Sequence, residues 1–222
     1  MAEKPRVKAP KQRGTTPTRG GTNKRWLAVA VAVLGVALGV AAVAALAGIG
    51  GGGRSSDVSS LRSTLGAAGC TLQKAKALPG VHSIHDPSGT SPTWNTDPPT
   101  SGPHYGIPAI FGRYEDQLEP ARVVHNLEHG GIFILYGDKV PDSTVEQLIA
   151  FYDGHKTGTI MAPLNHLGGK FALGAWVVDD KLDNAFLAKC TTFDENAVSS
   201  FFDMLQFRGP EHYDPTQLQP GM

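Results

Sequence analysis

His125-Asn126-Leu127-Glu128-His129-Gly130-Gly131-Ile132-Phe133-Ile134-Leu135-Tyr136 is the stretch on which the fold turns. Its second half, Ile132–Tyr136, is an apolar run of strand length and reads as a buried strand. The glycine pair before it bars a long helix, so His125–His129 is expected to form a strand end or one tight turn. The glycines there supply close backbone approach or positive φ. His125 and His129 share a face under either geometry, as i and i+4 of a helix or as equal-parity positions of a strand. Glu128 separates the two cases. It neighbours His125 at i+3 on a helix and points to the opposite side on a strand.

The pattern continues outward from this strand. Asp142 or Ser143 caps a helix running to Phe151 or Tyr152, with Val145, Leu148, Ile149 and Tyr152 on its apolar face. Glu146 falls at the capping-box position if Ser143 is the cap. Thr159–Pro163 and Phe171–Val178 read as two more strands, joined by a turn at Gly168-Gly169. A last helix starts at Asp194-Glu195-Asn196, carries Val198, Phe201, Phe202 and Leu205 as its stripe, and ends at Arg208-Gly209-Pro210. Upstream, Ser56–Ala68 reads as a helix with Val58, Leu61 and Leu65 on one face, stopped by Gly69, and Cys70–Leu78 as an edge strand. Between them and the histidines, Pro79 to Pro120 holds eight prolines and five glycines, a density that forbids long helices and interior strands. An irregular segment of that length inside a compact domain is often functional. The β-α-β-β-α order superficially resembles thioredoxin-like folds, without their redox cysteine pair. The fold class is α+β: a single outer domain with a mainly antiparallel sheet and packed helices, preceded by one transmembrane helix.

Charge divides the 222 residues into two opposite parts. Residues 1–25 carry eight Lys and Arg against Glu3 alone and have almost nothing apolar to bury, which predicts disorder. Arg54–Met222 carries 12 basic residues against 19 acidic, so the zero net charge of the whole chain conceals a net of −7. Trp26 to Ile49 has no charged side chain, and ~24 helical residues span the ~30 Å hydrocarbon core of a bilayer. The basic flank is N-terminal, which orients the N-terminus to the cytoplasm and the domain outside. Ala45-Leu46-Ala47 before Gly48 fits a signal-peptide cleavage site, but the apolar run exceeds the ~7–15 residues of a signal-peptide core. The expected organisation is a basic cytoplasmic tail (1–25), a transmembrane helix (26–49), a juxtamembrane linker and helix (50–67), an extracytoplasmic domain (68–214) and a flexible tail (215–222). In an oxidising compartment Cys70 and Cys190 are most simply a disulfide, the alternative being two separate thiols.

Chemistry concentrates in two places. The first is His125, Glu128 and His129. The second is Pro98-Pro99-Thr100-Ser101-Gly102-Pro103-His104-Tyr105, which sets a third imidazole on a rigid loop. His104, His125 and His129 suit zinc or copper, with Glu128 as a ligand or as the acceptor that fixes a tautomer. His82 and His85 are spare ligands on the same irregular segment. The other reading is a metal-free hydrogen-bond network that ties the proline-rich loop to the sheet. The string H-x-x-E-H matches the inverted zincin signature, but that signature needs a sustained helix, and Gly130 cuts it. Ser101 fits either a nucleophile with a histidine base or a local turn bond. His155, His166 and His212 stand isolated, and Trp94, Trp176, Phe201 and Phe202 read as core. No phosphate loop, nucleotide fingerprint or nucleic-acid patch is present in the sequence.

The motif Pro98-Pro99-Thr100-Ser101-Gly102-Pro103-His104, followed by His125-Asn126-Leu127-Glu128-His129-Gly130, resembles the bacterial family called domain of unknown function 3105. Gly112-Arg113-Tyr114, Tyr136, Ala175-Trp176, Cys190 and Gly209-Pro210-Glu211 agree with it, over about residues 68–212. The resemblance implies a membrane-anchored or exported bacterial protein and brings no activity. It marks His104, His125, Glu128 and His129 as the positions to watch and implies that Gly131 is replaceable.

These observations predict an extracytoplasmic domain at the bacterial cytoplasmic membrane that binds a transition metal through a His/Glu site. The competing classes are a non-catalytic envelope interaction module, in which the cluster is structural, and a metal-dependent hydrolase. The bilayer, through residues 26–49, is the one partner read from the sequence; nucleic acid is not expected, and no protein partner is identified.

Overall fold

The computed structural model describes residues 58–82 and 93–222. The chain divides into two units, Met1–Gly50 and Gly51–Met222. The first unit lies outside the described residues, and with it the basic tail and the apolar segment 26–49; His85 lies outside them too. Among the described residues no helix is long and apolar enough to cross a membrane.

In chain order the elements are α1 (Val58–Ala67), β1 (Cys70–Lys76), β2 (Gly112–Arg113), α2 (Pro120–Glu128), β3 (Ile132–Tyr136), α3 (Asp142–Gly154), β4 (Thr159–Pro163), β5 (Phe171–Val178), β6 (Asp183–Cys190) and α4 (Glu195–Leu205). The six strands form one sheet in the order β1-β6-β5-β3-β4-β2. The pairs β1/β6, β5/β6 and β3/β5 are antiparallel, while β3/β4 and β2/β4 are parallel. The domain is therefore α+β with a mainly antiparallel sheet.

The sheet is covered on both faces, and alternation along β5 decides which residue meets which layer. Phe171, Leu173, Ala175 and Val177 face the layer of α1, α3 and α4, where they join Leu61, Leu65, Leu148, Phe151, Val198, Phe201 and Leu205. Ala172 and Trp176 face the other way, onto Val123, Val124 and Leu127 of α2 together with Phe133 and Leu135. Gly174 completes this face: a Cβ there would lie 2.1 Å from Phe133 Cζ, so the absent side chain is the space the ring occupies. The histidine-bearing helix thus packs on this side of the sheet, flanked by Ala109, Phe111, Leu164, Leu167 and Leu218.

Several expectations are corrected. His125–Glu128 is neither a strand end nor a single turn but the last part of a nine-residue helix. Pro120, which closes the proline-rich segment, occupies the first helical turn, where its fixed φ and missing N–H favour a helix start. The helix stops at His129 because Gly130 adopts φ +90°. At α3, Pro141 sits at the cap and no side chain caps the helix, so the Asp142 or Ser143 cap and the Glu146 capping box are absent. β4 and β5 are not neighbours, since β3 lies between them. The connection between them does turn at Gly168-Gly169 as expected, directly after a short 3-10 turn at Asn165–Leu167. β6 was not anticipated, and it is the strand that carries Cys190 into register with Cys70. Residues 215–222 are packed rather than loose: a capped 3-10 turn at Pro215–Gln217 precedes buried Leu218. Phe111 also bonds Met222 and Gly221 through its backbone.

Candidate metal centre

α2 places His125 and Glu128 one turn apart on its buried side. The segment before it is laid along the helix by specific bonds. Asn126, fully buried, donates from Nδ2 to Ala109 O (2.7 Å) and accepts Ala109 N–H at Oδ1 (3.0 Å). Tyr105 N–H donates to Ala121 O, and Leu78 N–H donates to Ser101 Oγ at 3.0 Å. Ser101 therefore serves the backbone. Tyr105 contributes its carbonyl, and its ring lies under Arg122. His82 reaches the same place from the end of the β1 segment, through a parallel bridge to His104. Gly80 is needed on the way, because a Cβ there would lie 2.5 Å from Glu128 Oε1 and 3.2 Å from the Trp176 ring.

These contacts bring His82, His104, His125 and Glu128 together, one ligand atom from each lying within 4.8 Å of all the others. Glu128 Oε2 is 2.9 Å from both His82 Nε2 and His104 Nε2. His104 Nδ1–H donates to Gly102 O (2.7 Å), and His125 Nδ1–H donates to Tyr105 O (2.6 Å). In a neutral imidazole so held, Nε2 carries the lone pair. His104 Nε2 is buried and makes no well-formed hydrogen bond, although the Glu128 carboxylate lies 2.9 Å from it as an ion-pair partner. Trp176 Nε1, in a ring edge-on to His104, is the other buried unpartnered polar atom among the described residues. The four-residue group could hold a metal ion.

Charge in the cluster follows from these contacts. Burial alone would raise the Glu128 pKa, but the His104 and His82 imidazoles outweigh it and hold the carboxyl down at about 2. Burial would lower His104, but the Glu128 carboxylate and the Gly102 carbonyl reverse the sign and raise it above 6.5. His125 is lowered, by burial first and by neighbouring His104 in addition, against the Tyr105 carbonyl.

His129 is placed outside the group. Its Nε2 lies 3.2 Å from Glu211 Oε2 and its ring stacks on Tyr213, while the edge of the ring meets His125. Burial, then the charge of His125, hold its pKa down at about 4. The residues the motifs did not reveal are His82 in the leading set, Asn126 as a clamp, Gly80 as a spacer, and Glu211 and Tyr213 as partners of His129. His82 had a signal as half of the His82/His85 pair, and Asn126 and Glu211 lay in the stretches that carry the resemblance, with no role read for either. Cys70 and Cys190 are joined by a disulfide between directly opposed residues of β1 and β6.

Fold and site together define an α+β domain that carries a three-histidine, one-glutamate cluster on one face of its sheet, with His104, His125 and Glu128 buried and His82 exposed. The chain belongs to the family described as protein of unknown function (DUF3105), whose model matches residues 85–217. That span takes in His104, His125, Glu128 and His129 and begins three residues after His82. No curated protein and no solved structure gives a match.

Proposed function

We propose that this domain binds one divalent transition metal ion through His82, His104, His125 and Glu128. The observation that carries the reading is the orientation of the two buried imidazoles. Each donates Nδ1–H to a backbone carbonyl, the arrangement that fixes the tautomer of metal-ligating histidines, and His104 Nε2 is left buried beside the Glu128 carboxylate without a well-formed hydrogen bond. Three imidazoles and a carboxylate, with no thiolate, suit zinc or copper. A tetrahedral shell with bonds of ~2.0–2.1 Å sets ligand atoms roughly 3.4 Å apart. The cluster brackets this, from 2.9 Å at the carboxylate to at most 4.8 Å across the group.

The basic segment 1–25, the apolar segment 26–49 and the Cys70–Cys190 bridge support a place at the bacterial cytoplasmic membrane, with the N-terminus inside and the domain in an oxidising outer compartment. In that setting the reading is metal handling in the cell envelope. A second reading draws on Glu128 Oε2, which meets two imidazoles at 2.9 Å: without metal, a proton shared in this cluster makes it a clasp between the proline-rich segment and α2. The hydrolase alternative has less support, because His129, the last residue of the H-x-x-E-H string, turns to Glu211 and Tyr213.

Calorimetric titration of the full chain, stripped with chelator, separates these readings. Metal binding predicts one equivalent of Zn²⁺, an affinity lower by about 100-fold or more in His104→Ala/His125→Ala, and near-parental binding in His129→Ala. Equal binding by the parent and the double variant would leave the clasp.

A further inference from the structure

We propose that His82 is the exchange ligand of this centre: the imidazole through which the divalent ion enters and leaves, and whose departure opens one coordination position to a solvent-borne ligand. The inference rests on the metal-binding reading above and adds to it how the ion is loaded.

The four residues are not equivalent. His104 is fully buried, and the side chain of Glu128 is 9% exposed, whereas that of His82 is 50% exposed. The inner residues are also held twice. His104 and His125 are each anchored through Nδ1 to a carbonyl, and Glu128 sits on α2, where its own carbonyl accepts Glu211 N–H at 3.0 Å. Among the described residues no carbonyl holds the second nitrogen of His82. Its side chain meets the cluster through Nε2 on Glu128 and through ring contacts alone, stacked 5.2 Å from His125 and edge-on 4.7 Å from His104.

The backbone leading into it is held. His104 N–H donates to Val81 O at 3.0 Å, and Gly80 runs against Glu128 and Trp176. Rotation of the His82 side chain alone therefore uncovers Glu128 Oε2 and one face of His125, with no movement of the other three residues. The vacated position suits a small monodentate donor such as water, azide or free imidazole. The cargo class is a borderline divalent cation exchanged with nitrogen and oxygen chelators.

The test uses the full chain loaded with one equivalent of Co²⁺, whose visible spectrum reports coordination. Transfer to excess chelator is followed by stopped flow in the parent, His82→Ala and His129→Ala. The inference predicts that His82→Ala still binds one equivalent and transfers about tenfold faster or more, with azide or imidazole altering its spectrum. Imidazole should slow the transfer again, while the parent spectrum stays unchanged by azide and His129→Ala behaves as the parent. A His82→Ala variant that releases Co²⁺ at the parental rate would overturn the inference and leave the metal site standing. One that binds no Co²⁺ would overturn it as well, by making His82 indispensable. A parent chain that binds no Co²⁺ would remove both readings.

Discussion

Glu128 and Gly80 set the terms at the scale of single residues. The depressed Glu128 pKa means that the carboxylate stabilises the metal-free fold above its unfolded value near 4.5, and that this stability is lost as pH falls toward about 2. His104 has the opposite sign. Its folded pKa is raised, so its contribution is full below 6.5 and is lost as pH rises through the folded value. Denaturant titrations in chelator should therefore show stability declining on both sides for the parent, whereas Glu128→Gln should flatten both slopes. Metal reverses the alkaline trend, since ligation needs neutral imidazoles and displaces the His104 proton; apparent affinity should rise with pH through the histidine range. Gly80→Ala tests the spacing directly. Its Cβ would lie 2.5 Å from Oε1 of Glu128, a carboxylate whose other oxygen is held by two imidazoles. The expected result is a loss of about tenfold in Zn²⁺ affinity with an unchanged circular dichroism spectrum. Gly131 was implied to be replaceable, yet a Cβ there would lie 2.8 Å from Asn126 O and from the Phe111 ring, so this fold has closed that position.

α2 is the element that makes the site, and the 207–211 segment holds its end. Phe207 N–H donates to Gly130 O at 2.7 Å, and Glu211 N–H donates to Glu128 O. Gly209 fits between them: a Cβ would lie 2.3 Å from Glu128 O and from Gly130 N, backbone atoms that cannot yield without shifting the helix end. Gly209→Ala should lower stability by roughly 2–4 kcal/mol, read as a shift in the denaturation midpoint. The strands whose side chains advertise burial were legible in sequence, and β3, β4 and β5 lie at Ile132–Tyr136, Thr159–Pro163 and Phe171–Val178 as expected. α2 was not, because Pro120 reads equally as the end of a proline-rich loop and as the first residue of a helix. Only the packing of Val123, Val124 and Leu127 against the sheet decides between them. β6 escaped because Asp183–Cys190 has no β-branched residue; its pairing with β1 and β5 on both sides supplies what propensity does not. The site was legible as chemistry but not as geometry. The shared face of His125 and His129, argued from local periodicity, holds, with the rings 4.6 Å apart, but tertiary contacts with Glu211 and Tyr213 turn His129 Nε2 out of the cluster.

At the scale of the whole molecule, the disulfide fastens edge strand β1 to β6 across 120 residues of chain. Both cysteines are buried, and β1 leads into the His82 segment, so the bridge also fixes one approach to the cluster. In the chain-entropy model a closure of this size contributes about 4–5 kcal/mol, so Cys70→Ser/Cys190→Ser should unfold at correspondingly lower denaturant. The sheet then presents two unlike faces. One is a conventional layer of helices; the other is given to α2 and to a proline-rich segment whose bonds converge on three imidazoles and a carboxylate. X-ray absorption at the zinc edge on the one-to-one complex of the full chain tests this account most directly. It predicts a shell of nitrogen and oxygen only, with three imidazoles in the parent, two in His82→Ala and an unchanged three in His129→Ala. A shell that loses an imidazole in His129→Ala, or that is indifferent to His104→Ala and His125→Ala, would contradict it.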